Sequence, residues 1–174
     1  MTESAKALLA GPHTRLGLIA ALIACAIDQA TKLWLLFVLD LGARGPVRLT
    51  PFLDLILTRN TGISYGLFQQ EGPFGQAVLL LLKVIAVVLL WIWLARSTSR
   101  LAALALGLII GGAIGNAIDR LAYGWVVDFV LFHITTVNWR FTWYVFNLAD
   151  VAIVAGVIGL LYESFVGDRA AKAP

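Results

Sequence analysis

Four long apolar stretches alternate along the chain with segments in which polar and aromatic residues return. The apolar stretches cover residues 16–39, 74–95, 101–118 and 147–166. Each is long enough to cross ~30 Å of hydrocarbon as a helix. The pattern therefore predicts an all-α polytopic membrane protein, with four transmembrane helices in a single domain spanning residues 1–174.

The two longer segments between the spans, 40–73 and 119–146, lie on the same side of the membrane by chain parity. In the first, "RLTPFLDLILTRNTGISYGLF" partly alternates between apolar and polar residues, and Gly62 and Gly66 follow Asn60, which favours a short strand and a turn. The second is rich in Trp, Tyr and Phe, which prefer the headgroup layer. We expect a small β-rich, amphipathic segment at the membrane surface.

Composition supports the membrane class, because 60% of the 174 residues are hydrophobic and only 13% are charged, against ~25% charged in soluble domains. The net charge is +3, with most Lys and Arg between the spans, so we expect no nucleic-acid partner. Segments 1–15, 96–100 and 167–174 hold six of these cations, and the two longer segments hold five in about twice as many residues. This density predicts that both termini are cytoplasmic.

Cysteine and histidine are scarce, since the chain has one cysteine, Cys25, and two distant histidines, His13 and His133. We therefore predict no intramolecular disulfide, no metal cluster and no cofactor. Cys25 is interpreted as a small buried apolar residue.

The third span carries a stripe of small residues, with Gly107, Gly111 and Gly115 spaced four apart. Such a stripe lets a neighbouring helix approach closely, so Gly111 and Gly115 are assigned structural roles. On the fourth span, Ala152, Gly156 and Gly159 offer a mating face.

Asp28, Lys32 and Lys83 stand well inside apolar spans, where charge is costly. Asp28 and Lys32 are spaced i, i+4 on the first span, which predicts an internal ion pair with a structural role. A substrate-facing role for this pair is the alternative. Lys83 sits near the middle of the second span, and the sequence offers no explanation for it.

Two carboxylates, Asp128 and Asp150, fall at the same membrane boundary, 22 residues apart in the chain. Carboxylates in contact cannot easily both ionise, so one keeps a proton, and the pair can supply a general acid and a general base. Such a dyad can activate water and protonate an amide. The alternative is that each Asp caps a helix or lies in a solvated loop.

Polar neighbours favour the dyad. Asn147 shares a helix face with Asp150, and an amide-rich boundary with one cation suits a peptide-binding cleft. N-capping by Asn147 and interfacial anchoring by Arg120 are the simpler alternatives. The other polar residues expected at this boundary are Asn60, Asn116, Asp119 and Arg120.

Four ordered motifs carry a resemblance to a known family. They are "DQATK" at 28–32, "RNTGISYG" at 59–66, "GGAIGNAIDRLAYGWVVDF" at 111–129 and "FNLADVAI" at 146–153. Together they resemble the bacterial lipoprotein signal peptidase family, also called signal peptidase II or prolipoprotein signal peptidase. The similarity extends from the first span to the fourth. The chain departs from many members at Ser64 and Tyr65, where Ala-Phe is common, and at Tyr144, where Pro is common.

The resemblance implies an aspartyl endopeptidase at the outer face of the bacterial inner membrane. Its substrates would be prolipoproteins carrying diacylglycerol on a cysteine, cut just before that cysteine. Asp128 and Asp150 match the family's catalytic pair. Four further positions are implied to line the substrate cleft, and Asp119 is assigned a structural role. We expect a monomer in contact with membrane lipid. The cleft residues are Asn60, Asn116, Arg120 and Asn147.

Two other functions compete with the peptidase. A small proton-coupled transporter could use Asp28, Asp128 and Asp150 as a relay, although no inverted repeat is visible. The chain could also be a lipoprotein, since "LIAC" at 22–25 resembles a lipobox. However, three further spans follow that cysteine.

Overall fold

A computed structural model of the 174-residue chain describes residues 10–62 and 73–171. Four helices of membrane-spanning length carry a small antiparallel sheet at one end, and four of the described helices are apolar enough to cross a bilayer. The elements in chain order are α1 (Thr14–Phe37), α2 (Leu41–Arg44), β1 (Val47–Thr50), β2 (Leu53–Asn60), α3 (Pro73–Arg96), α4 (Arg100–Tyr123), β3 (Val126–Thr135), β4 (Arg140–Thr142) and α5 (Leu148–Ala171).

The four predicted spans are confirmed as helices, and the helix of the third span continues beyond its predicted end at residue 118. The sequence placed residues 119 and 120 in the external segment, whereas α4 continues to Tyr123. It ends at Gly124, whose φ of 78° is a left-handed conformation that glycine adopts without strain. Asp119 and Arg120 are therefore held on a rigid helix. The backbone of α5 also stays helical to residue 171, beyond the predicted boundary at 166.

Helix α4 forms the centre of the bundle and packs against α1, α3 and α5. Its glycines allow this, because a Cβ on Gly107 or Gly111 would collide with the backbone of Gly17 or Ala21 on α1. The sequence suggested the fourth span as the partner of this stripe, but Gly107 and Gly111 pack against α1 instead. Gly156 of α5 packs on another face of α4.

Gly111→Leu should lower the thermal stability of the protein in detergent. The side chain would meet the backbone of Ala21, which cannot move aside without separating the two helices. Overpacking of this kind costs about 1–3 kcal/mol. Thermal unfolding of purified protein measures the effect. Ala122→Leu, at an exposed position on the same helix, is the matched control and should leave the melting temperature unchanged. An equal melting temperature for both variants would contradict the observed contact.

The predicted β-rich segment is confirmed as a four-stranded antiparallel sheet in the order β1-β2-β3-β4. Val127 and Phe129 of β3 bury their side chains with Leu35 of α1 and Leu41 of α2. This apolar cluster fixes the sheet against the end of the bundle. The far side of the predicted turn, including Ser64, Tyr65 and Gly66, lies outside the described residues.

Candidate active site

The structure brings Asp128 and Asp150 to one place through the backbone beside them. Asp128 is the third residue of β3, and Asp150 lies in the first turn of α5. Phe146, just before the helix, exchanges backbone hydrogen bonds with Val130 of β3. The start of α5 is thereby tied to the strand that carries Asp128.

Asn147 links the two carboxylates. Its Nδ2 donates to Asp128 Oδ1 at 2.6 Å, and its backbone N–H donates to Asp150 Oδ2 at 3.2 Å. Asp150 returns a bond, because its backbone N–H donates to Asn147 Oδ1 at 2.9 Å. The N-capping interpretation of Asn147 is therefore correct. The same side chain also donates to Asp128, so Asn147 both caps α5 and contributes to the polar surroundings of the carboxylates.

Asn60 and Asn116 complete the polar surroundings of the pair, as the sequence predicted. Asn60 Nδ2 donates to Asp128 Oδ2 at 2.9 Å, and Asn116 Nδ2 donates to Asp150 Oδ1 at 3.0 Å. Each carboxylate therefore accepts two hydrogen bonds from neighbouring asparagines. Asn116 cannot turn its amide, because Lys32 donates to its Oδ1 at 3.0 Å. The pair is thus held by groups whose own orientations are fixed.

A buried cluster of charged side chains next to the asparagines stabilises the arrangement of the two carboxylates. Lys32 lies 2.8 Å from Asp28 and 2.7 Å from Asp119, and all three side chains are almost completely buried. The predicted ion pair of Asp28 and Lys32 is present, extended by Asp119. Asp28 also accepts from the backbone N–H of Ala149, and Asp119 accepts from that of Val127. The cluster therefore fastens α5 and β3 to the helices beneath them.

Gln29 belongs to this cluster, although the sequence analysis gave it no role. Its Nε2 donates to Asp119 Oδ1 at 2.8 Å and to the carbonyl of Gly115 at 3.0 Å. Only its position inside the motif "DQATK" could have indicated this role from the sequence. Gly115 leaves room for the Asp28 carboxylate, because an added Cβ would lie 2.7 Å from Asp28 Oδ2.

Arg120 is buried, with 7% of its surface exposed, so it is not the interfacial anchor offered as an alternative. Its Nη1 donates to Gln76 Oε1 at 2.7 Å, and its Nη2 donates to the carbonyl of Gly62. Its buried Nε has no hydrogen-bond partner within the described part of the chain. Gln76, which the sequence did not single out, in turn donates to the carbonyl of Thr61.

Two cavities meet at the carboxylates. The smaller, about 220 Å³, lies between α3 and α4 and is lined by Lys83 and Arg120. The larger, about 590 Å³, lies along α5 beside Trp143 and is mainly apolar. Asn60, Asp128 and Asp150 line both. A substrate reaching the pair can therefore occupy space on either side of it.

Burial raises the pKa of Asp128 to about 6. The Asn60 and Asn147 hydrogen bonds oppose this by stabilising the ionised form, while the charge of Asp150 adds to it. Asp128 thus keeps its proton to a higher pH than an ordinary aspartate does.

Comparison with known proteins agrees with this geometry. The family model described as "Signal peptidase (SPase) II" matches residues 20–166. A lipoprotein signal peptidase of Nitrobacter hamburgensis is 66% identical, covering 92% of this chain and 98% of the relative, and one of Rhodopseudomonas palustris strain TIE-1 is 61% identical over the same shares.

A solved structure described as a "bacterial membrane enzyme" superposes with a TM-score of 0.69 at 26% identity, covering 91% of this chain and 92% of its own. A second solved structure with the same description gives a TM-score of 0.64. These findings place the chain among peptidases rather than among transporters or lipoproteins. The chain belongs to the signal peptidase II family.

Proposed function

We propose that the protein is an aspartyl endopeptidase that removes signal peptides from diacylglyceryl-modified prolipoproteins, cutting before the lipidated cysteine. Family membership supports the reaction and the substrate class. The observation that carries the catalytic type is the pair of carboxylates joined through Asn147 at the meeting point of two cavities.

In the proposed mechanism the two carboxylates have different roles. Asp150, ionised, removes a proton from a water that attacks the scissile carbonyl. Asp128, protonated, donates its proton to the carbonyl oxygen as the tetrahedral intermediate forms. As the intermediate collapses, the C–N bond breaks and the cysteine amine leaves with the proton that Asp150 received. A hydroxyl of the intermediate returns a proton to Asp128, so a carboxylic acid is released and both carboxyl groups regain their starting states. The raised pKa of Asp128 supports this assignment of acid and base.

The asparagines serve this chemistry by fixing geometry. Asn60 and Asn147 hold both oxygens of Asp128, and Asn116 holds one oxygen of Asp150. With their side chains oriented in advance, the carboxylates need little rearrangement when substrate binds. We also propose that four polar residues bind the substrate backbone or its lipid, namely Asn60, Asn116, Arg120 and Asn147.

The proposed location is the inner membrane of a bacterium, with the site toward its outer face and both termini in the cytoplasm. The density of Lys and Arg in the short segments supports this orientation. The large apolar side chains exposed on the spans, such as Leu22, Leu89 and Leu161, support contact with membrane lipid. We propose that the protein acts as a monomer and as a single domain.

The direct test is cleavage by purified protein of a prolipoprotein with and without its diacylglyceryl group. Cleavage immediately before the cysteine of the lipidated precursor, read by mass spectrometry of both products, is expected. The unlipidated precursor should be cut much more slowly. Failure to cut the lipidated precursor would reject the proposed function.

Cleavage should fall as the pH rises through about 6, because Asp128 then loses the proton that it donates. Below that pH Asp128 is mostly protonated, so the alkaline limb of the pH profile reports its ionisation as part of the pair. Asn60→Ala removes a hydrogen bond that favours the ionised form. The alkaline limb should therefore move to higher pH in this variant, measured as kcat/KM against pH.

The control for this profile is the folded fraction of each protein at every pH. If the alkaline limb of the kcat/KM profile lay at the same pH in Asn60→Ala as in the unaltered protein, this would contradict the assignment of Asp128 as the general acid.

A further inference from the structure

Lys83 is a cation inside an apolar helix, and none of the described residues pairs with it. It lies ten residues after the start of α3 at Pro73, so its backbone is roughly 15 Å along the helix axis. It makes no hydrogen bond or ion pair with any residue that the structure describes, whereas Lys32 is held by Asp28, Asn116 and Asp119. A charge at this depth without a structural partner indicates a functional role.

The surroundings of Lys83 show where that role would lie. Lys83 lines the smaller cavity together with Arg120, Asp128 and Asp150. Its long apolar stem allows the ammonium to extend from the hydrocarbon toward this polar region. Arg120 adds a second positive charge to the wall of the same cavity. Two cationic side chains thus lie beside the carboxylates in one cavity.

The half-buried Lys83 ammonium calls for an acceptor from a ligand, because a charge removed from water within an apolar span is costly unless it is paired or hydrogen-bonded. The two carboxylates in the same cavity disfavour an anion such as a phosphate. A neutral carbonyl oxygen accepts from the Lys83 ammonium without that repulsion. Leu79, Leu82 and Ala86 add an apolar part of the wall, which suits the first carbons of an acyl chain.

We propose that Lys83, on the cavity wall beside Arg120, forms a subsite for an ester carbonyl of the diacylglyceryl group on the substrate cysteine. This inference rests on the proposed function. The scissile peptide must lie at Asp128 and Asp150, and the ester groups follow the cysteine side chain by a few bonds. The cavity between α3 and α4 lies beside the carboxylates on the membrane side, where an acyl chain can continue into lipid.

The test compares a precursor bearing a diacylglyceryl group with one bearing the dialkyl ether analogue, which lacks both ester carbonyls. In the unaltered protein kcat/KM should be about tenfold or more higher for the ester, as expected for a hydrogen bond to a charged group. In Lys83→Met the preference should fall toward one, mainly through loss of ester cleavage. Lys83→Arg keeps a cation and should retain part of the preference.

The control is Leu81→Met, an exposed position on the same helix, which should keep the full ester preference. The subsite would be overturned if Lys83→Met kept that preference, or if it slowed the ester and ether precursors by the same factor. The latter result would mean that Lys83 acts on the peptide or on the carboxylates. If the unaltered protein cuts neither precursor, the proposed function itself fails.

Discussion

Asp128→Asn and Asp150→Asn should each abolish cleavage of the lipidated precursor while the protein still inserts and purifies. The general acid and the general base act as one unit, so the loss of either carboxylate prevents both the activation of water and the protonation of the scissile carbonyl. Acid–base catalysis by one such group contributes about a hundredfold to ten-thousandfold. The measurement is kcat/KM by gel shift or mass spectrometry at the pH of highest activity.

Asp40→Asn is the matched control, because Asp40 is an exposed carboxylate in a left-handed conformation that Asn also tolerates. It should keep full activity. The melting temperatures of all three variants must show that they are folded. A folded Asp150→Asn protein with more than a few per cent of the original activity would contradict the two-carboxylate mechanism.

Lys32→Met should cause a large loss of stability. Lys32 is 1% exposed and lies between Asp28 and Asp119, both fully buried. Removing the cation leaves two carboxylates uncompensated in a membrane helix bundle, and breaking a buried pair in this way costs about 3–5 kcal/mol. The amide of Asn116 would also lose the donor that fixes its orientation. Thermal unfolding in detergent and the yield of folded protein measure the effect.

Lys83→Met is the control for this prediction, since it makes the same substitution at another intramembrane lysine. Lys83 has no ion pair with any described residue, so its loss leaves no carboxylate newly unpaired and should not lower the melting temperature. Equal destabilisation by the two substitutions would show that the cluster around Lys32 is not what stabilises the bundle.

The sequence by itself determined the four helices and the class of protein. Membrane spans are local features, because length and composition decide whether a segment can cross hydrocarbon with its backbone bonds satisfied. It also supplied the residues that gather at the site, since chain parity confines Asp128 and Asp150 to one boundary. The β-rich segment was predicted for the same local reasons.

Only the tertiary structure decided how these residues meet. The link through Asn147, the clamp of Lys32 on Asn116 and the contacts of Gln29 join residues far apart in the chain. Their geometry depends on how each helix is rotated and where it crosses its neighbours, which periodicity does not specify. The glycine stripe illustrates this limit, because its spacing indicated a close contact but not that α1 is the partner. The position of Lys83 depends on packing in the same way, because only the packing of α3 against α4 brings this residue to the cavity beside the carboxylates.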